Sequence, residues 1–320
     1  MKQDSTQYKP TCSIVIRCYN EEKHIGNLLA GIMAQSVNDV EIILVDSGST
    51  DATLSIATRY PVRILNIAPE EFSFGHSLNI GCAAASADII VLASAHVYPV
   101  YKDWLEYLLA PFDDKEVALV YGKQRGPQNA WYAEQQIYRK WFPERSIKQQ
   151  THPFCNNANA AIRKSLWGDS PYNIELTGLE DLEWAKRQSE AGRKIVYSAE
   201  AEIVHVHDER PYQIFNRYQR EAIAFKRIYP EKRFTILDAL FLFTVNSFSD
   251  LCHAWRDSIP LLKLPGIPLF RFMQFWGTYR GYCQKGAVPQ ELSDRFYYPN
   301  GLMHKMTESS SEKERIIRYE

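Results

Sequence analysis

The chain has 320 residues and a mass of 37.0 kDa, enough for one large domain or for a domain with an appendage. Hydrophobic residues make up 45% and charged residues 23%, values that exclude a disordered or collagen-like chain. The formal net charge of -1 argues against a nucleic-acid partner, because such binding needs an excess of Lys and Arg.

The first half of the chain alternates short apolar strands with helices. The pattern predicts strands at 12–17, 41–45, 62–67 and 88–93 and helices at 21–35, 52–58 and 79–87. The strands are continuous apolar runs, which is typical of a parallel sheet that helices cover on both faces. We therefore predict an α/β fold with a mostly parallel central sheet.

The second half of the chain becomes helical and rich in aromatic residues. The pattern predicts helices at 103–109, 131–142, 179–191 and 212–229, strands at 117–121 and 194–198, and helical structure over 234–282. The segment from residue 306 is polar and is expected to fray. We predict a main domain over residues 1–230 and a C-terminal helical appendage over 231–320.

Features of the sequence also bear on the compartment. No run reaches the roughly 18 consecutive apolar residues that cross a bilayer, and the N-terminus has no apolar signal region. The six Cys include no CxxC pair, which favours buried thiols in a reducing cytosol. We expect a cytoplasmic protein, with peripheral contact at the inner face of the cytoplasmic membrane as an open alternative.

Polar loops follow three of the predicted strands, at 18–22, 46–51 and 94–96. In open α/β sheets, ligands bind at the carboxyl ends of the strands, so these loops predict the site. Neither GxGxxG nor GxxxxGK[ST] is present, which argues against a dinucleotide site and a P-loop.

These loops belong to motifs that resemble a known family. SIVIRCYNEEKHIGNLLAGIMAQS followed by EIILVDSGSTDAT is similar to the opening of the family 2 glycosyltransferases. The resemblance extends over residues 10–230, with NNANAAIR at 156–163, LED at 179–181 and HVH at 205–207 in the family's order. FSFGHSLN, YGKQRGP and RFMQFWGTYRGY resemble the rhamnosyltransferase-like branch. The resemblance implies the GT-A nucleotide-binding fold, with a nucleotide-binding half over about 10–125 and an acceptor half over about 126–230.

The resemblance also implies which residues bind the nucleotide. They are Tyr19, Glu21, Asp46, Ser94 and His96. The ring of Tyr19 would stack on or flank the base, and the carboxylate of Asp46 would accept hydrogen bonds from the base or the ribose. A strand-end aromatic and a turn-forming Asp remain the alternatives for these two residues.

The Glu180-Asp181 pair occupies the position of the family's catalytic base. An inverting sugar transfer needs one carboxylate to take the proton from the acceptor hydroxyl. The resemblance implies that Asp181 is this base and that Glu180 binds the acceptor or supports the loop. The alternative is a pair of carboxylates that stabilises a helix N-terminus.

Ser94-Ala95-His96 departs from the family, which has Asp-x-Asp here to hold a divalent metal. One hypothesis is that His96 ligates Mn²⁺ or Mg²⁺ together with His205 or His207, of which His205 matches the position that the family uses near the diphosphate. The other is that a cationic His96, with nearby Arg or Lys, stabilises the diphosphate without metal. Because His205 and His207 are two residues apart in a strand-like segment, their rings are expected to face opposite ways, so that only one enters the site. Leu78, where this branch often has Arg, is a second departure.

The acceptor side gives weaker signals. Asn156 and Asn157 lie where the family binds its acceptor, although turn formation explains them equally well. The aromatic appendage, with Lys and Arg interleaved, fits a membrane surface, a cap on the main domain or a homodimer interface.

Together these features predict an inverting glycosyltransferase of bacterial polysaccharide synthesis. The expected donor is a dTDP- or UDP-sugar, and the expected acceptor is a glycan or a lipid-linked glycan. The alternatives are an inactive sugar-nucleotide-binding or scaffold protein, and a nucleotidyltransferase. The second alternative would need a Gly-rich, Lys-bearing loop where the chain has Arg17-Cys18-Tyr19-Asn20.

Overall fold

The computed structural model describes residues 9–286, 288–289, 292 and 296–297. The strands are β1 Cys12–Cys18, β2 Val40–Asp46, β3 Val62–Asn66, β4 Ile89–Ser94, β5 Val97–Pro99, β6 Val117–Arg125, β7 Asn159–Arg163 and β8 Lys194–His205. The helices are α1 Ile25–Met33, α2 Thr53–Ala57, α3 Phe74–Ala84, α4 Trp104–Leu109, α5 Tyr132–Trp141, α6 Lys164–Asp169, α7 Glu180–Glu190, α8 Pro211–Ile228, α9 Ile236–Arg256 and α10 Gly266–Cys283.

The strands form one mixed sheet in the order β3-β2-β1-β4-β7-β6-β8-β5. The first four strands in this order are parallel, as predicted, and β6 pairs with β8 in parallel. The strand β7 is antiparallel to both β4 and β6, and β5 is antiparallel to β8. The α/β fold class is therefore confirmed. The antiparallel strands β7 and β5 lie in the part of the sheet beyond β4.

Apolar side chains project from both faces of the sheet. In β1, Ile14 and Ile16 enter one buried cluster with α1, whereas Val15 enters a second cluster with Leu78 of α3. Both faces of the strand are thus covered by helices, which is why its sequence is continuously apolar rather than alternating.

Some predicted boundaries differ from the structure. The helix predicted at 79–87 spans Phe74–Ala84, because the Ser73 hydroxyl caps it by accepting a hydrogen bond from the His76 amide at 3.1 Å. The strand predicted at 194–198 continues to His205, and the motif NNANAAIR at 156–163 contains β7. The predicted fraying from residue 306 lies outside the described residues.

The chain forms two compact units. The first comprises the described residues up to Ala130, Gln135–Glu175 and Glu180–His207, and it contains the sheet. The second comprises Trp131–Glu134, Leu176–Leu179 and the described residues from Asp208, and it contains α8, α9 and α10. The predicted boundary at residue 230 stays a prediction.

Close helix packing and a buried ion pair hold the second unit together. A Cβ atom on Gly277 or Gly281 of α10 would come within 2.5 Å of a backbone oxygen of α8, so only glycine permits this approach. Between α9 and α10, buried Asp250 and Arg271 pair at 2.7 Å. Within the described residues, none of the helices is both long and apolar enough to span a membrane.

Candidate active site

The loops after β1 and β2 form one hydrogen-bonded surface. The Asp46 carboxylate accepts hydrogen bonds from the amides of Gly48 and Ser49 at 3.0 and 2.9 Å. The Asn20 amide in turn donates to the Ser49 hydroxyl at 2.8 Å. Asp46 is buried and its carboxylate shapes this turn, while Tyr19 beside it is half-buried.

The residues predicted to bind the nucleotide lie at the carboxyl ends of adjacent strands. Asp46 ends β2, Tyr19 follows β1, and Ser94 ends β4. The Glu21 carboxylate reaches the His96 ring, with Oε1 2.6 Å from Nδ1. The strand order β2-β1-β4 brings these side chains to one edge of the sheet, as the sequence predicts.

Three imidazoles meet beside this edge. Val97 of β5 pairs with His205 of β8, and the Val206 amide donates to the His96 carbonyl at 3.1 Å. The ring centroids of His96 and His205 are 5.1 Å apart, and those of His205 and His207 are 4.1 Å apart. One ligand atom from each of the three residues lies within 4.8 Å of the others.

The expectation that His205 and His207 face opposite ways is wrong. β8 ends at His205, and His207 lies beyond it in a segment without strand geometry. The alternation of side chains holds only within a strand, so the chain can turn the His207 ring towards its neighbours.

Oxygen acceptors fix the proton positions on two of these rings. His96 Nδ1 faces Glu21 Oε1, and His205 Nδ1 faces Gln124 Oε1 at 2.8 Å. Because carboxylate and amide oxygens only accept, both Nδ1 atoms carry the proton when the rings are neutral. Each Nε2 then presents a lone pair, the arrangement of a metal-binding histidine held by an outer partner. The donor set therefore fits a divalent transition metal.

A second polar cluster contains the predicted base. Glu180 and Asp181 begin α7, and both are buried. The Asp181 carboxylate accepts hydrogen bonds from the amides of Asn157 at 3.0 Å and Leu182 at 2.8 Å. Burial, followed by the charge of Glu180, raises the pKa of Asp181 to about 7. A carboxylate with such a pKa is suited to accept a proton near neutral pH.

Arg17 supplies the positive charge of this carboxylate cluster. Its Nη1 lies 3.5 Å from Glu180 Oε1, and its guanidinium stacks over the Phe74 ring at 4.7 Å. The charge of Arg17 opposes the rise in the pKa of Asp181. Arg17 is not among the predicted site residues, although a charged residue near the end of an otherwise buried apolar strand is a visible signal.

The two predicted acceptor residues differ in their surroundings. Asn156 Oδ1 accepts a hydrogen bond from the Ala158 amide at 2.9 Å, within its own turn. Asn157 is buried next to Asp181, and its side-chain amide has no hydrogen-bond partner among the residues that the structure describes. Their contact with an acceptor stays a prediction.

A cavity adjoins the histidine cluster. It has a volume of about 290 Å³ and is lined by Lys123, Gln124, Arg125 and Tyr138, among others. Gln124 contacts His205, and Tyr138 contacts His207. Lys123, Gln124 and Arg125 belong to the branch-specific motif YGKQRGP and Tyr138 to a predicted helix, and none of them is among the predicted site residues.

Sequence comparisons identify the family. The profile of Glycosyl transferase family 2 matches residues 13–168. The O-antigen chain rhamnosyltransferase WbaN of Salmonella anatum is 31% identical over 65% of this chain and 70% of its own length. The O-antigen chain rhamnosyltransferase RfbN of Salmonella typhimurium is 28% identical over 64% and 69%. The chain belongs to glycosyltransferase family 2, and the predicted likeness to the rhamnosyltransferase branch is confirmed.

Solved structures support the fold. A mannosyltransferase of Pyrobaculum calidifontis, solved with GDP-Man and Mn²⁺, covers 92% of this chain and 89% of its own with a TM-score of 0.58 and 17% identity. S. aureus TarS, solved with UDP-GlcNAc, covers 84% and 89% with a TM-score of 0.52 and 16% identity. The predicted GT-A fold is confirmed.

Proposed function

We propose that this glycosyltransferase moves a hexosyl unit with inversion from a dTDP- or UDP-sugar to a glycan or lipid-linked acceptor in bacterial polysaccharide synthesis. The observation that carries the proposal is the buried Asp181 carboxylate, whose raised pKa suits a general base. The likeness to two O-antigen chain rhamnosyltransferases supports the polysaccharide context and a deoxyhexose donor. The proposed location is the cytoplasm.

In this proposal, Asp181 takes the proton from the acceptor hydroxyl as that oxygen attacks the anomeric carbon. The new C–O bond forms on the face opposite the bond that breaks to the nucleoside diphosphate, so the configuration inverts. The amides of Asn157 and Leu182 hold the carboxylate in place. Glu180, held by Arg17, binds the acceptor or supports the loop.

On the donor side, His96, His205 and His207 would hold a divalent metal. When bound, it would neutralise charge on the diphosphate leaving group. Imidazole nitrogen suits transition-metal ions, whereas Mg²⁺ prefers oxygen ligands. Glu21 and Gln124 orient two of the rings from behind. The alternative is a cationic His96, whose imidazolium would form an ion pair with the Glu21 carboxylate 2.6 Å away.

A panel of sugar nucleotides tests the proposal. The melting temperature of the chain is measured with each nucleotide in Mn²⁺, in Mg²⁺ and in EDTA, and transfer is then followed with the best ligand. We expect a dTDP- or UDP-sugar to give the largest stabilisation, and we expect NMR of the product to show an inverted anomeric centre. A retained configuration would refute the inverting mechanism.

The same panel separates the two alternatives. An inactive scaffold would bind a sugar nucleotide without releasing the nucleoside diphosphate in the presence of any glycan acceptor. A nucleotidyltransferase would instead form a sugar nucleotide from a nucleoside triphosphate and a sugar phosphate, with release of pyrophosphate.

A further inference from the structure

One face of α9 exposes a continuous row of large apolar side chains. We name this row the apolar stripe; it consists of Leu237, Leu240, Phe241, Val245, Phe248, Leu251 and Trp255. Successive members are one, three or four positions apart, so they project from one side of the helix. Phe248 is 70% exposed and Trp255 is 80% exposed.

The apolar stripe is additional to the packed face of α9. The opposite side of the helix buries Ala239, Ser247, Asp250 and Ala254, and Asp250 pairs there with Arg271 of α10. No charged residue lies between Asp238 and Asp250 in the sequence. The helix therefore has one side for its own unit and one apolar side that the described chain leaves exposed.

Further exposed apolar residues follow α9 in the chain. The short 3₁₀ turn Leu261–Lys263 places two leucines at the surface, and Leu262 is 96% exposed. Lys263 follows them directly and is also exposed. Exposed leucines next to a lysine resemble an insertion loop with a cation at the level of lipid headgroups.

The charges around the apolar stripe are mainly positive. Residues 231–286 contain seven Lys and Arg against three Asp and Glu231, and the Arg271–Asp250 pair is buried. Exposed cations lie at both ends of the stripe: Lys232 and Arg233 before it, Arg256 and Lys263 after it. This segment is therefore positive in a chain whose net charge is -1.

Two of the three exposed acids of this segment, Asp238 and Asp257, have local partners. The Asp238 carboxylate accepts hydrogen bonds from the amide and hydroxyl of Thr235 in a capping box, both at 2.7 Å. The Asp257 carboxylate accepts a hydrogen bond from the Tyr132 hydroxyl at 2.8 Å. These neutral donors do not remove the two negative charges, so the segment is positive only because its Lys and Arg outnumber its acids.

This charge distribution favours an anionic surface over a second copy of the chain. If two stripes paired in a symmetric dimer, cations at their ends would face cations in both the parallel and the antiparallel arrangement. An anionic membrane instead attracts both ends, while Phe and Trp side chains enter the boundary between headgroups and acyl chains.

We infer that the apolar stripe, together with Leu261 and Leu262, binds the surface of a membrane that contains anionic phospholipids. The helix lies in the plane of the interface and does not span the bilayer. The inference goes beyond the proposed sugar transfer, and its test needs no sugar nucleotide, so each can fail without the other.

Vesicle sedimentation with the full chain tests the inference. Vesicles of phosphatidylcholine alone are compared with vesicles that also contain phosphatidylglycerol, at low and at high salt. We expect binding to the anionic vesicles at low salt and weaker binding at high salt, because salt screens the cations. Trp255→Glu and Leu262→Glu should each lower the binding constant roughly tenfold or more, because an inserted apolar side chain is replaced by an anion.

Met33→Glu is the matched control, because Met33 is an exposed apolar residue of α1, outside the second unit. It should bind vesicles as the wild type does. Circular dichroism and the melting temperature check that each variant is folded. We expect both variants to fold, because Trp255 and Leu262 are exposed and their replacement leaves the core unchanged.

Three results would overturn the inference. The first is a wild-type chain that does not bind anionic vesicles, and the second is equal binding by the wild type, Trp255→Glu and Leu262→Glu. The third is a dimer in solution that Trp255→Glu converts to a monomer while vesicle binding is absent, which would assign the stripe to a second copy.

Discussion

The histidine cluster and the carboxylate pair lie in the same unit but differ in how their surroundings affect protonation. At His96 and His205, oxygen acceptors hold a proton on Nδ1 and leave a lone pair on the other nitrogen. At Asp181, burial and a neighbouring acid raise the pKa, so the carboxylate gains affinity for a proton. The first environment suits a cation, and the second suits the uptake of a proton from a substrate. The local partners of these side chains, rather than their residue types, separate the two roles.

The largest expected effect is on the carboxylate side. Asp181→Asn should lower the rate of sugar transfer about 10²–10⁴-fold, because it removes the proton acceptor. Binding of the donor should stay close to that of the wild type, since the histidine cluster is unchanged. Single-turnover transfer and donor titration measure the two quantities.

Glu183→Gln is the matched control for Asp181→Asn, since Glu183 lies on the same helix and pairs with Arg187. Glu180→Gln should have an intermediate effect that falls partly on acceptor affinity. If Asp181→Asn kept more than about a tenth of the wild-type rate, the loss of rate would be smaller than removal of a general base usually causes, and the assignment of Asp181 as the base would be wrong.

The complementary change on the donor side should spare Asp181. His205→Ala or His96→Ala should weaken donor binding in Mn²⁺ by far more than the ~1 kcal/mol of an ordinary hydrogen bond. Calorimetry in Mn²⁺ and in EDTA measures this loss, with His253→Ala on the exposed side of α9 as the control. Unchanged donor affinity in both variants would remove the cluster from the donor site, and full wild-type binding in EDTA would favour the cationic alternative.

A smaller effect is expected behind the ligands. Gln124→Leu removes the acceptor that orients His205, and loss of such an outer partner typically lowers metal affinity about 10–100-fold. Gln124→Glu keeps an oxygen acceptor at the same length and should retain most of the affinity. Titration of the chain with Mn²⁺ compares the two variants. Equal affinities for the Leu variant and the wild type would show that Gln124 does not position the ring.

The smallest effect concerns stability. The pKa of Asp181 is higher in the folded chain than its ordinary value of 3.8, so the folded state holds a proton that the unfolded chain has lost. The free energy of unfolding should therefore fall as the pH rises from about 4 to about 7, and it should stay at the lower value above pH 7. Asp181→Asn should not show this fall, because an Asn side chain does not ionise.

The melting temperature of Asp181→Asn should therefore exceed that of the wild type by a few degrees at pH 8, with a smaller difference at pH 5. Thermal unfolding at the two pH values measures the shift. A difference that is equal at both pH values would show that the ionisation of Asp181 does not cause it.

Local signals in the sequence predicted much of the fold and part of the site. The continuous apolar runs predicted strands β1, β2 and β4, and the polar loops after them predicted the edge where Asp46, Tyr19 and His96 gather. The family motifs placed Glu180 and Asp181 at the start of a helix. These features depend on neighbours close in the chain, so the sequence displays them directly.

Tertiary structure decided the chemistry of the same residues. The pairing of β5 with β8 brings His96 to His205, and the end of β8 lets His207 join them. Burial is the main cause of the raised pKa of Asp181, and no local pattern in the sequence shows that burial, whereas the second cause, the charge of Glu180, comes from the preceding residue. Likewise, periodicity gives α9 two faces, but only packing against α10 decides which face is covered and which stays exposed. The physical reason is that burial and long-range pairing arise between segments far apart in the chain, whereas propensity and motif spacing are local.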